Sequence, residues 1–299
     1  MRLASAYLLV SHGSRDPRPQ LATERLASLL IQKLARQQGI YRSTACQWEV
    51  EQKSQIKTAV QSQLAQPLVE TACLELTPVP LHVRLEECAR KAKDRGLESL
   101  QILPLFLLPG VHVREDIPEE IAIAQQAIGG AVKLELRPYL GNYLNIIDLL
   151  SKKLEKLPVQ ARIIVSHGSR RQGANDRCEA IAAKLDAVTA YWSLSPSLAE
   201  KVKVLAEAGA ENIAILPYFL FSGGITDAIA EQVRQLQTDF PKTQLHLGEP
   251  LGATEELADL ILSGIDEGTT QKDSTWEKYI SWEQGLEIQD GGHSKENSF

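Results

Sequence analysis

Tyr7-Leu8-Leu9-Val10-Ser11-His12-Gly13-Ser14-Arg15 runs an apolar strand straight into a His-Gly turn, and Arg162-Ile163-Ile164-Val165-Ser166-His167-Gly168-Ser169-Arg170 repeats it. Chance does not give the same Val-Ser-His-Gly-Ser-Arg string twice in one chain, so the sequence reads as an internal duplication. Each copy then begins with a strand that delivers a histidine at its carboxyl end.

A short continuous apolar run is the mark of a strand buried on both faces, as in a parallel sheet. In open α/β sheets ligands bind outside the carboxyl ends of such strands, where His12 falls. Gly13 lets the backbone turn there, and a helix predicted over 20–38 points its amide-rich end at the same cleft. A histidine so placed is an available base or metal ligand near neutral pH. It is equally a residue that closes the turn by bonding backbone carbonyls, and one copy alone does not separate the two readings.

The chain has 299 residues, 43% hydrophobic and 23% charged, enough for about two α/β domains. No apolar run approaches the roughly 18 residues of a membrane span, and the start lacks a long apolar leader, so a cytoplasmic protein without a membrane partner is expected. A net charge of −6 argues against nucleic acid. Cys46, Cys73, Cys88 and Cys178 are scattered, which argues against a zinc ribbon, an iron-sulfur site or a disulfide framework and suggests buried small hydrophobes.

In order, the first half predicts a strand over 6–10, an amphipathic helix built on Leu21, Leu26, Leu29, Leu30 and Leu34, and a polar Gln-rich excursion over about 41–66. A second strand over 68–76, a helix over 80–95 stopped by Gly96, and an apolar third strand over 100–108 follow. Pro109-Gly110-Val111-His112 reads as the loop leaving that strand, and Asp116-Ile117-Pro118-Glu119 has the spacing of a capping box. A strand over 131–136 and a helix over 142–154 complete the half.

The second half repeats this plan more compactly. Thr71-Ala72-Cys73 aligns with Thr189-Ala190-Tyr191, Leu103-Pro104-Leu105-Phe106-Leu107 with Leu216-Pro217-Tyr218-Phe219-Leu220, and Pro138-Tyr139-Leu140-Gly141 with Pro250-Leu251-Gly252. The expected fold class is α/β: two similar lobes, residues 1–156 and 157–266, each a four-stranded parallel sheet flanked by helices. Residues 267–299 read as a polar, disordered tail, with Trp276, Tyr279 and Trp282 available to dock a short helix.

Three strand ends of the first half carry His12, Glu75 and His112. Two imidazoles and a carboxylate hold a divalent first-row metal without the thiolates that would lock it in place. The bland alternative makes Glu75 a solvated charge and His112 a helix cap. Arg15, Arg18, Arg114, Arg170 and Arg171 lie beside these positions in an otherwise acidic chain, which favours a polycarboxylate or phosphate ligand.

The Ser-His-Gly-Ser-Arg turn, Cys73-Leu74-Glu75-Leu76, and the run Pro104 to Pro118, with its Pro-Gly-Val-His-Val-Arg-Glu-Asp-Ile-Pro ending, resemble the sirohydrochlorin chelatases of the CbiX/SirB group over both lobes, from about Tyr7 to Asp266. The resemblance implies a class II chelatase-like fold and insertion of divalent cobalt or iron into sirohydrochlorin, on the route to sirohaem and cobalamin. It implies His12 as metal ligand and proton acceptor, His112 as second metal ligand, and Glu75, Phe106, Leu107, Leu108, Pro109, Gly110 and Val111 as substrate contacts; the charge of such a reaction adds Glu75 as a second candidate proton acceptor and Arg15 and Arg114 for the carboxylate arms. No permanently bound cofactor is implied, the metal being a substrate. Single-lobe members pair two copies to make the cleft, so the duplicated chain is expected to act as a monomer.

In the second lobe Ser193 answers Glu75 and Ile225 answers His112, so that lobe keeps the His167 turn without its partners. His82 and His246 read as structural or surface residues. Two other classes share parts of this pattern. A histidine phosphatase wants arginine directly before the histidine, where Ser11 and Ser166 stand, and a non-catalytic tetrapyrrole or metal carrier would use the same residues without turnover.

Overall fold

The computed structural model describes residues 5–37, 66–157, 160–171 and 173–267. The Gln-rich excursion, apart from Gln66, and the tail from residue 268 lie outside the described residues. In the first lobe β1 (Ser5–Ser11), β2 (Val69–Cys73), β3 (Ser99–Pro104) and β4 (Lys133–Leu136) form a parallel sheet in the order β2-β1-β3-β4. In the second, β5 (Ala161–Ser166), β6 (Val188–Tyr191), β7 (Asn212–Pro217) and β8 (Gln244–Leu247) take the equivalent order β6-β5-β7-β8. The registers also agree: Ser11 lies opposite Cys73, and Ser166 opposite Tyr191. The expected two-lobe α/β architecture is present, and β1 and β5 are central strands, hence their unbroken apolar runs.

Helices α1 (Pro17–Gln37), α2 (Leu81–Asp94), α3 (Ile117–Ile128) and α4 (Ile146–Leu154) flank the first sheet. Helices α5 (Asp176–Lys184), α6 (Leu198–Glu207), α7 (Gly224–Asp239) and α8 (Glu255–Glu267) flank the second. One core joins the lobes: Leu26 and Leu30 of α1, Leu150 of α4, Ile181 of α5 and Ile261 of α8 belong to a single buried cluster. Each such side chain contributes about 1.5–3 kcal/mol when fully buried, so the lobes are held by a core and not by a rim contact.

Several boundaries differ from the sequence reading. Helix α1 begins earlier, at Pro17, because proline fits the first helical turn, where its missing N–H costs nothing. Strand β2 stops at Cys73 and β3 at Pro104, short of the apolar runs that continue past them. The predicted helix over 142–154 splits into a 3₁₀ turn, Leu140–Asn142, and α4. Cys88 and Cys178 are buried, and burial pushes their thiols up to about 12 and about 11, while Cys73 is only half-buried.

Candidate functional site

His12 follows β1 and enters the turn at Gly13, whose φ is +100°. A Cβ there would lie 2.0 Å from the Glu75 carbonyl oxygen, so only glycine permits the approach. Two backbone bonds carry the β1–β2 pairing past the end of β2: Leu74 N–H donates to Ser11 O at 2.9 Å and Glu75 N–H to His12 O at 2.9 Å. Glu75 is therefore not a strand residue, as the sequence suggested, yet the backbone fastens it to His12. Its carboxylate lies 3.8 Å from His12 Nε2.

His112 arrives from β3 through Phe106 to Val111. It does not sit in a loop. It opens a π-helical turn, His112–Asp116, that runs without a break into α3. Asp116 consequently has helical backbone angles and makes no side-chain cap, contrary to the capping-box expectation. Its carboxylate instead accepts a hydrogen bond from His112 Nδ1 at 2.6 Å. That bond leaves Nε2 as the lone pair available to a metal, the usual arrangement of a carboxylate behind a metal-binding imidazole. The i,i+4 spacing of His112 and Asp116 is the signal that would have found it.

The rings of His12 and His112 meet edge to face with centroids 4.8 Å apart, and Phe106 lies 6.4 and 6.1 Å from them. His112 Nδ1 is 3.9 Å from Glu75. One ligand atom from each of His12, Glu75 and His112 falls within 4.8 Å of the others, and among the described residues this is the one such group of three. Ligands bound at about 2.1 Å to one ion are themselves roughly 3–4 Å apart, so small side-chain rotations suffice to close on a metal. His12 and Glu75 side chains are 49% and 50% exposed, which leaves the remaining coordination positions open to a second molecule.

Among the other expected contacts, Phe106, Pro109, Gly110 and Val111 are half-buried along the approach to His112. Leu107 and Leu108 turn partly into the inter-lobe core. Gly141 N–H braces the segment by donating to Phe106 O at 2.8 Å. Arg15 and Arg114 are exposed, and no ion pair holds either among the described residues. Two of the arginines are committed elsewhere. Arg18 joins Asp16 to Asp227 of α7 across the lobes, and its guanidinium holds both carboxyls below their usual range. Arg171 pairs with Glu115 at 3.9 Å.

The second lobe repeats the turn without the partner side chains. His167 Nδ1 contacts Gly168 O at 3.0 Å, as His12 Nδ1 contacts Gly13 O at 3.2 Å. Ser193, in the place of Glu75, turns its hydroxyl back to donate to His167 O at 2.9 Å, and Ile225 lies on α7. His82 bonds Glu120 and His246 bonds Asn212.

The CbiX family model matches residues 49–157 and again 161–268, so its first match begins after β1 and His12. A sirohydrochlorin ferrochelatase of Priestia megaterium is 26% identical over 71% of this chain and 82% of its own length. A sirohydrochlorin cobaltochelatase of the same organism is 24% identical over 88% and 79%. The crystal structure of the chelatase SirB from Bacillus subtilis subspecies spizizenii, in complex with cobalt, shares the fold with a TM-score of 0.61 at 20% identity, over 88% of this chain and 94% of that one. No helix among the described residues is long and apolar enough to cross a membrane.

Proposed function

The chain belongs to the CbiX family, and on that premise we propose that it inserts a divalent metal, cobalt or iron, into sirohydrochlorin. The observation that carries this reading is the convergence of His12, Glu75 and His112 from three separate strand ends into one half-open cluster. His12 and His112 present the metal through neutral imidazoles. Insertion forms four metal–nitrogen bonds to the macrocycle and expels two pyrrole protons, which His12 and Glu75 accept. Three weak, solvent-accessible ligands suit a metal that must be surrendered, where a closed four-ligand cage would keep it. Arg15 and Arg114, exposed and in no ion pair among the described residues, take the carboxylate arms, and Phe106 supplies an apolar face beside the two imidazoles.

The first lobe, residues 1–156, carries this chemistry, and the second, 157–266, forms the opposite wall. Because both lobes lie in one chain, the active species is the monomer. Anaerobic spectrophotometry with sirohydrochlorin and Fe²⁺, Co²⁺ or Ni²⁺, run on the fractions of a sedimentation experiment, tests both points. Many turnovers per chain in the monomer fraction are expected. A single stoichiometric event would favour a carrier, and activity confined to a dimer fraction would remove the covalent-pair argument.

Asp116 is the positioning residue for His112. Asp116→Asn should weaken Co²⁺ binding by about 10–100-fold, the usual cost of losing a carboxylate behind a ligating histidine. Titration of the metal-free protein followed by cobalt absorption measures this, and an unchanged affinity would show that the 2.6 Å bond is incidental to the site.

A further inference from the structure

A cleft of about 420 Å³ opens at the carboxyl ends of β1 and β2, bordering the metal cluster through Ser11 and Ser14 on either side of His12-Gly13 and Leu76 after Glu75, and walled further by Thr23, Glu24, Thr71, Cys73 and Arg84. The duplication identifies what such a space accepts. By the shared sheet register, Cys73 occupies the position of Tyr191, and Thr71 that of Thr189. Counting on from the repeated turn, Thr23 and Glu24 of α1 correspond to Cys178 and Glu179 of α5. In the second lobe the Tyr191 side chain is 3% exposed, and from the position of Cys73 its phenol reaches the position of Glu24, donating to Glu179 Oε1 at 2.7 Å.

The first lobe keeps the walls and lacks the occupant. Cys73 reaches only as far as Ser11, with Sγ and Oγ 3.5 Å apart. Glu24 remains at the place of Glu179, with Oε1 engaged by Gln20 at 3.1 Å. Arg84 is occupied by Glu87 and Glu70, so the cleft offers an anionic acceptor and hydroxyls and not a free cation. An apolar cavity of about 150 Å³ is enough for benzene, so a larger cleft of this kind admits a substituted ring. Clefts of a few hundred cubic ångströms with a few fixed polar groups are the usual small-molecule sites.

We propose that this cleft is a second ligand site, taking a phenol or a similarly flat ring with one hydroxyl donor, in the pose that Tyr191 adopts in the other lobe. The inference does not depend on the chelatase reading, and its test needs neither metal nor tetrapyrrole. The probe is p-cresol, titrated into the full-length protein and followed by amide NMR. Saturable shifts centred on Thr71, Cys73 and Glu24 are expected. Glu24→Gln should weaken binding by roughly tenfold, the scale of a lost charge-assisted hydrogen bond. Cys73→Tyr should abolish it, because the new side chain occupies the site as Tyr191 does. Should Cys73→Tyr fail to fold, Glu24→Gln, altered on the exposed face of α1, carries the test. Absence of saturable shifts in the wild type, or binding undiminished by both substitutions, would overturn the proposal.

Discussion

His112→Ala loses metal insertion, with turnover down by at least about 10²-fold, while His167→Ala keeps most of it. The expectation rests on what each imidazole faces. His112 stands 4.8 Å from His12 ring to ring and 3.9 Å from Glu75, so its removal leaves one histidine and one carboxylate, too few to hold a divalent ion in a fixed place. Among the described residues His167 belongs to no such group. Its counterpart to Glu75 is Ser193, whose hydroxyl is already spent on the His167 carbonyl. The fold should survive both changes. The His112 side chain is partly exposed and gives up one hydrogen bond, to Asp116, a loss of about 1 kcal/mol. Turnover measured beside circular dichroism and urea unfolding separates the cases. A dead His167 variant together with a working His112 variant, both folded, would place the chemistry in the second lobe and overturn the assignment.

What the sequence made legible follows from burial. Leu8 to Val10 and Ile163 to Val165 are buried on both faces of central strands, and a fully buried strand can be read directly from its apolar run. The repeat then supplied the topology, because two copies of one pattern need only one solution. Glu75 was singled out near the end of the second apolar run and His112 just beyond the third, although the ends of β2 and β3 were set too late. An apolar run does not reveal where its partner strand stops pairing. Asp116 was misread because Asp-x-x-Glu spacing signals a cap only where the chain is not already helical, and here the helix starts four residues earlier, at His112. Arg18 looked free because its partner Asp227 lies 209 residues away, in the other lobe. No local pattern reports an ion pair made by lobe packing.

The same pairing of lobes makes the glycine of each turn a matched experiment. Gly13→Ala should both destabilise the protein and stop turnover, whereas Gly168→Ala should do only a milder form of the first. At Gly13 the new Cβ meets backbone, the Glu75 carbonyl oxygen at 2.0 Å, and the residue is held at φ +100°. Relief requires the segment carrying Glu75 to move off His12, breaking the 2.9 Å bond from Glu75 N–H to His12 O. Strain and overpacking together should cost about 2–4 kcal/mol, and the movement separates two of the three metal-site groups. At Gly168 the nearest atom is the end of a side chain, Leu194 Cδ2 at 2.7 Å, which can rotate away, although Tyr191 Cβ at 2.9 Å must also shift. With φ at +80° the alanine still pays for a left-handed backbone, for a total of about 1–2 kcal/mol. Urea midpoints should therefore fall in both variants and further in Gly13→Ala, while metal insertion per folded molecule should be lost in Gly13→Ala alone. Equal losses of turnover in the two would count against the proposed assignment of the metal site to the first turn.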